Sequence, residues 1–146
     1  MANEAVIIEL LGNKGEAIRF TVGNNAAIEK GTLMRLEDPR TVSGATGTGV
    51  VFAGIAAAEK VAGDGSTSMP VYTYGIFDLT LATNSTCQAG DLVIVSGTNL
   101  IARASDYAPG GLVQSGAWMA LQSGMIIGKA LETGSSAEVI AVKVDC

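Results

Sequence analysis

Two stretches decide the fold when laid one over the other: AIEKGTLMRL at 27–36 and TCQAGDLVIV at 86–95. Gly31 falls on Gly90 and Leu33 on Leu92, and in both the glycine precedes a short apolar run of strand character. A glycine there provides the backbone freedom that a tight turn into a strand needs, or room for a neighbouring backbone. The likeness continues downstream, where VFAGIA with Gly54 lies over IIGKA with Gly128. Each of these is followed by acidic residues, a Gly-Ser turn and a further strand, MPVYTYG or EVIAVKV. Matches kept in order over this length indicate an internal duplication. The chain divides into an N-terminal arm with a first strand (1–26), a first β unit (27–84) and a second β unit (85–146), the last carrying an insertion at 105–124.

Working outward, GEAIRFTV at 15–22 alternates apolar and polar residues and ends in the turn formers Gly23-Asn24-Asn25. Strand-like runs recur at 31–36, 50–55, 69–81, 90–95, 99–104, 125–130 and 138–144, each bounded by Gly, Ser, Asn, Asp or Pro. The best helix candidate, 56–62, is too short to stand on its own. With 48% apolar residues the 146-residue chain has material for a core, and its 19 glycines and 5% aromatics fit many short strands and tight turns. The expected fold is all-β: a small glycine-rich β-barrel or sandwich of two similar strand units with an extended N-terminal arm.

Composition removes whole classes of chemistry. The chain has no histidine, which takes away the usual general base, the Ser-His and Cys-His pairs and the commonest metal ligand. Cys87 and Cys146 are too far apart for a clustered zinc site and read as two free thiols. A net charge of −5 does not suit a nucleic-acid backbone. Glu4 and Glu9 flank the first apolar run, unlike a secretory leader, and no segment reaches the length of a membrane span. In SGATGTGVVFAG at 43–54, Val50 and Val51 stand where a phosphate loop needs Lys and Ser or Thr, and Phe52 stands at the third glycine of a dinucleotide fingerprint. The stretch reads as a flexible surface loop. Ala62-Gly63-Asp64-Gly65-Ser66 supplies one carboxylate where calcium needs several oxygens and reads as a hairpin turn. Glu37-Asp38 and Glu132 with Glu138 are read as solvated surface groups. No enzyme activity and no cofactor are expected.

Two segments carry more apolar surface than folding asks for. The first, AVIIELL at 5–11, presents Val6, Ile7, Ile8, Leu10 and Leu11. It reads either as an edge strand of its own domain or as an arm that adds a strand to a neighbouring subunit. The second is the insertion, with Leu112, Trp118 and Met119. It reads either as a loop folded back over its own barrel or as an interface anchor. These eight residues are the candidate contact residues, and both segments point to assembly.

The stretches at 15–22, 27–40, 51–67, 71–80, 89–97 and 126–144 together resemble the phage capsid decoration (cement) proteins of the group long held as a domain of unknown function, DUF2190. The resemblance covers most of the chain; the insertion at 105–124 departs from the simpler pattern. It implies a structural virion protein on the outer capsid surface, assembled in the host cytoplasm, that binds the major capsid protein and stabilises the shell. It further implies a homotrimer at threefold or quasi-threefold positions, and neither nucleic acid nor membrane as partner. Another virion component, such as a head fibre or tail protein, shares this composition. So does a sugar-binding β-module that stacks Trp118 and Tyr72 or Tyr74 on a pyranose ring.

Overall fold

A computed structural model describes residues 2–9, 16–107 and 124–146. The fold is all-β, with eleven strands and no α-helix among these residues. The strands are β1 (Val6–Glu9), β2 (Ile18–Val22), β3 (Leu33–Glu37), β4 (Thr41–Gly44), β5 (Phe52–Ala56), β6 (Ser68–Tyr72), β7 (Tyr74–Leu81), β8 (Leu92–Gly97), β9 (Leu100–Arg103), β10 (Ile126–Ala130) and β11 (Val139–Asp145). They close into two five-stranded barrels. The first runs β2-β4-β3-β5-β6, and the second runs β7-β11-β10-β8-β9 with β9 returning to β7. Closure pairs both sides of every barrel strand, which removes exposed edges.

The two barrels repeat each other pair by pair. Ile18 opposite Val71 corresponds to Phe77 opposite Val142, Leu36 opposite Val42 to Val95 opposite Ile101, and Leu33 opposite Ile55 to Leu92 opposite Lys129. The pairing that shuts each barrel is parallel in both, β2 with β4 and β7 with β9. The interiors correspond as well. Val22, Ile28, Met34, Val42, Ala53, Ala56, Met69 and Val71 fill the first barrel. Their counterparts Leu81, Cys87, Val93, Ile101, Ile127, Ala130, Ile140 and Val142 fill the second. Strand alternation explains the selection: along β7 every second residue, Gly75, Phe77, Leu79 and Leu81, is buried.

The matched glycines Gly54 and Gly128 make closure possible. A Cβ on Gly54 would collide with the Tyr72 carbonyl of β6, and one on Gly128 with the Lys143 carbonyl of β11. Each glycine therefore lets the neighbouring strand cross at van der Waals contact where the sheet bends round on itself.

Several details differ from the sequence reading. The repeating units are not 27–84 and 85–146: the first barrel begins at β2, within 1–26, and the second begins at β7. The alternating run 69–81 is two strands, β6 and β7, with Thr73 carrying the chain from one barrel to the other. The stretch 56–62 is not helical. After β5 it bends and forms a bridge between Ile28 and Lys60. The 43–54 stretch is not a flexible surface loop. It takes in the end of β4 and the start of β5, buries Ala45, and donates from Gly49 N to Val95 O at 3.0 Å.

The barrels share one core. Leu33, Ala45, Phe52 and Ile55 of the first pack into the same apolar cluster as Phe77, Val95 and Val144 of the second. Tyr72 packs at a tilt against Phe77 with ring centroids 6.0 Å apart, and Asn99 Oδ1 accepts from Leu33 N at 3.0 Å. Phe77, Val95 and Val144 lie at one mouth of the second barrel and are fully buried, because the outer face of the first barrel covers them.

Candidate functional site

The N-terminal arm is docked on its own chain. β1 adds to β7 antiparallel, with Val6 opposite Asp78 and Ile7 opposite Phe77. Just before it, Ala5 N donates to Gly31 O at 2.7 Å, so the arm straddles the junction of the two barrels. Ile7 packs on the shared core, whereas Val6 and Ile8 remain 59% and 54% exposed. Alternation along the strand produces this division, with Ile7 directed inward and its neighbours outward. The edge-strand reading thus describes the arm within one chain, and Val6 and Ile8 form an outward apolar pair. Leu10, Leu11, Leu112, Trp118 and Met119 lie outside the described residues.

A second apolar surface was not read from the sequence. The mouth of the first barrel is the counterpart of the covered mouth of the second, with Ile18 on the position of Phe77 and Leu36 on that of Val95. Here the same positions are open: Ile18 is 42% and Leu36 40% exposed. Phe20, Leu36, Glu37, Asp38 and Arg40 line a hollow there, with the Arg40 guanidinium 5.8 Å from the Phe20 ring centroid. The duplication could have placed these residues at a mouth, but only the docked barrels tell which mouth is covered.

The polar groups singled out by sequence hold structure together. Lys60 is buried, and its ammonium donates to Asn24 O and Asp64 Oδ1, both at 2.8 Å, and to Val61 O at 3.2 Å. Lys60, beside it, holds the Asp64 carboxyl below its usual value, with help from the Ser66 amide. The 62–66 turn is therefore a loop closed on an internal cation, which is the opposite of a calcium site. Glu37 accepts from Ser43 Oγ at 2.7 Å and from Arg35 Nη2 at 2.5 Å, and these bonds, Ser43 first, lower its pKa. Glu132 accepts from Ala141 N at 3.0 Å and Glu138 from Ser135 N at 2.7 Å, each carboxylate serving a separate stretch of backbone. Asp78 is raised by partial burial and then by the charge of Glu132.

Both cysteines are free thiols, as read. Burial pushes Cys87 up, and burial followed by the Asp145 charge pushes Cys146 up to about 11. Cys146 lies at the surface, yet its sulfur is turned towards the carbonyls of Thr73 and Ala53, at 3.6 and 3.8 Å. A thiol held protonated in this way is a poor nucleophile. Among the described residues no three His, Cys, Asp or Glu side chains group as metal ligands. Tyr72 packs at a tilt against Phe77, and the Tyr74 ring lies beneath the Lys143 ammonium at 5.5 Å.

Fold and surface together define an all-β protein of two tandem five-stranded barrels, with exposed apolar side chains that include Val6 and Ile8 on the docked arm and Ile18 and Leu36 at an open barrel mouth. Comparison with family profiles finds no match to this chain, and comparison with curated proteins finds none either.

Proposed function

We propose that this chain is a structural virion protein, a decoration or cement protein that binds the outer surface of an assembled phage capsid and stabilises it. The observation that carries the reading is the pairing of a closed, edge-free double barrel with large apolar side chains held outward on it: Val6 and Ile8 on the arm, Ile18 and Leu36 at the open mouth. Such surfaces suit contact with another protein. The carboxylates of Glu37, Asp64 and Glu132, by contrast, are occupied in hydrogen bonds, and burial holds the Cys146 thiol protonated.

In this reading the major capsid protein is the partner, and the chain acts as a homotrimer over threefold or quasi-threefold positions. Three linked copies that engage three capsid sites gain through effective concentration, so modest individual contacts add to durable binding. The net charge of −5 leaves an acidic surface that keeps particles apart in solution. Cryo-electron microscopy of intact particles tests the reading: density for the double barrel is expected on the outside of the shell, and heads without this polypeptide overturn it. Removal of residues 2–11 is expected to lower capsid occupancy, and unchanged occupancy refutes a role for the arm.

A further inference from the structure

The contact between the two barrels is heterologous: the outer face of the first covers the mouth of the second. Because the barrels are duplicates, each surface in that contact has a counterpart elsewhere on the molecule. The counterpart of the covered mouth is the open mouth of the first barrel, with Ile18 for Phe77 and Leu36 for Val95. The counterpart of the covering face, Leu33, Ile55 and Tyr72, is the outer face of the second barrel, with Leu92, Lys129 and Lys143. That face is also open. Leu92 is 42% exposed, and Leu92, Ile126, Lys129 and Lys143 line a hollow on it.

We infer that the open mouth of the first barrel receives the outer face of the second barrel of another copy of this chain, so that copies associate head to tail. The intrachain contact is the template, and the differences between template and copy are complementary in charge. Where the covering face inside the chain has Ile55 and Tyr72, the outer face of the second barrel has Lys129 and Lys143. Where the covered mouth has Ser96 and Gly97, the open mouth has Glu37 and Asp38. Asn99, which accepts from Leu33 N, is replaced at the open mouth by Arg40, and both adopt positive φ, at 55° and 47°. The template sets Arg40 beside Leu92, where its guanidinium, which only donates, would face the neighbouring Asp91 carboxylate and not the amide. Relative to the template, the mouth thus gains carboxylates and the face gains ammonium groups around Ile18, Leu36 and Leu92, opposite charges that favour contact between the two surfaces. The arm has no counterpart on the second barrel. It covers Gly31 through Ala5, whereas a Cβ built at Gly90 meets nothing within 4 Å.

A heterologous contact repeated by rotation closes into a ring when the rotation allows it. A ring of three copies would hold six equivalent barrels. The inference needs only the duplication, so it stands or falls apart from the virion reading: sedimentation of the free protein tests the first and imaging of particles tests the second.

The experiment uses two double variants of the full chain, one dead at the mouth (Ile18→Asp with Leu36→Asp) and one dead at the face (Leu92→Asp with Lys129→Glu). Sedimentation velocity at tens of micromolar is expected to show oligomers for the unaltered protein. Each variant alone is expected to sediment as a monomer, with self-association weakened by about 30-fold or more, the scale of losing an interface hot spot. Mixed one to one, the two variants are expected to form a dimer of one copy of each, because each retains the surface that the other lacks. All four side chains are already exposed, and an unchanged thermal melt confirms that the variants fold. Three results overturn the inference: a monomeric unaltered protein; a mouth variant that loses association while the face variant keeps it, which marks mouth-to-mouth pairing; and an equimolar mixture that stays monomeric. If both variants associate like the unaltered protein, the copies meet through other surfaces, and the inference fails.

Discussion

Gly31 and Gly90 offer a controlled test of how firmly the arm is held. They occupy the same place in the two barrels and have nearly the same backbone, with φ of +90° and +100°. Replacement of either by alanine therefore incurs a similar conformational cost, about 1–2 kcal/mol for a side chain at positive φ. Their surroundings differ. A Cβ at Gly31 would lie 2.6 Å from Ala5 O, 2.9 Å from Ala5 N and 3.0 Å from Glu4 Cβ, while one at Gly90 enters open space. Gly31→Ala must therefore displace the arm. That breaks the hydrogen bond from Ala5 N to Gly31 O, about 1 kcal/mol. It also lifts half-buried Ile7 from the core, about 1 kcal/mol more, since full burial contributes about 1.5–3 kcal/mol. Gly31→Ala is expected to destabilise the protein by about 2 kcal/mol more than Gly90→Ala, in urea unfolding followed by fluorescence or circular dichroism. Hydrogen exchange at 6–9 should accelerate only in the first variant. Equal losses, or protection at 6–9 unchanged by Gly31→Ala, would show that the arm does not rest on Gly31 as described.

Three further outcomes follow from the same geometry. Gly128→Ala, which drives a methyl into the backbone of β11, is expected to cost about 3 kcal/mol or more and to leave little soluble protein; near-unchanged stability would mean that the barrel closes differently. Lys60→Met strips the ammonium from its acceptors and is expected to lower unfolding stability by about 2–3 kcal/mol at neutral pH, as a urea midpoint will show. Asp64 has a folded pKa below its unfolded one, so its contribution is full above the unfolded value and is lost as pH falls through the folded value. The unaltered protein should then lose more stability than Asp64→Asn on acidification. Cys146, at about 11, holds a thiolate fraction roughly 200-fold smaller near pH 8 than a thiol of ordinary pKa about 8.5, so iodoacetamide should label it slowly and faster only as pH climbs towards 11. Prompt labelling near pH 8 would refute the tucked position of its sulfur.

Much of the fold was legible because turn glycines are hard to replace. Gly31 over Gly90 and Gly54 over Gly128 align the copies in their true register, since both pairs occupy sites that a side chain strains or blocks. The start of the repeat was less legible. Ile18–Val22 and Phe77–Leu81 share an alternation and a threonine, but β6 runs into β7 with only Thr73 between them, and the nearby Pro70 and Gly75 lie inside the strands and not at the crossing. β4 was hidden because its few residues lie in glycine-rich text, and its strand state comes from pairing with β2 and β3. The candidate surface was legible only in part. Val6, Ile7 and Ile8 stood out as an apolar run, whereas Leu36 and Val95 look alike in sequence and differ only because one mouth is covered.

The covering of one mouth also makes the barrels unequal in what they need from each other. The apolar interior of the first barrel is drawn from that barrel alone, while the cluster that fills the second includes residues of the first. If the second barrel opens, the first keeps its interior filling, and Leu33, Phe52 and Ile55 on its outer face meet water. If the first opens, Phe77, Val95 and Val144 meet water and the second is left without its lid. The interior filling of the first barrel is thus complete without the second, so the barrel that leaves the ribosome first has a core of its own while the other is still being made.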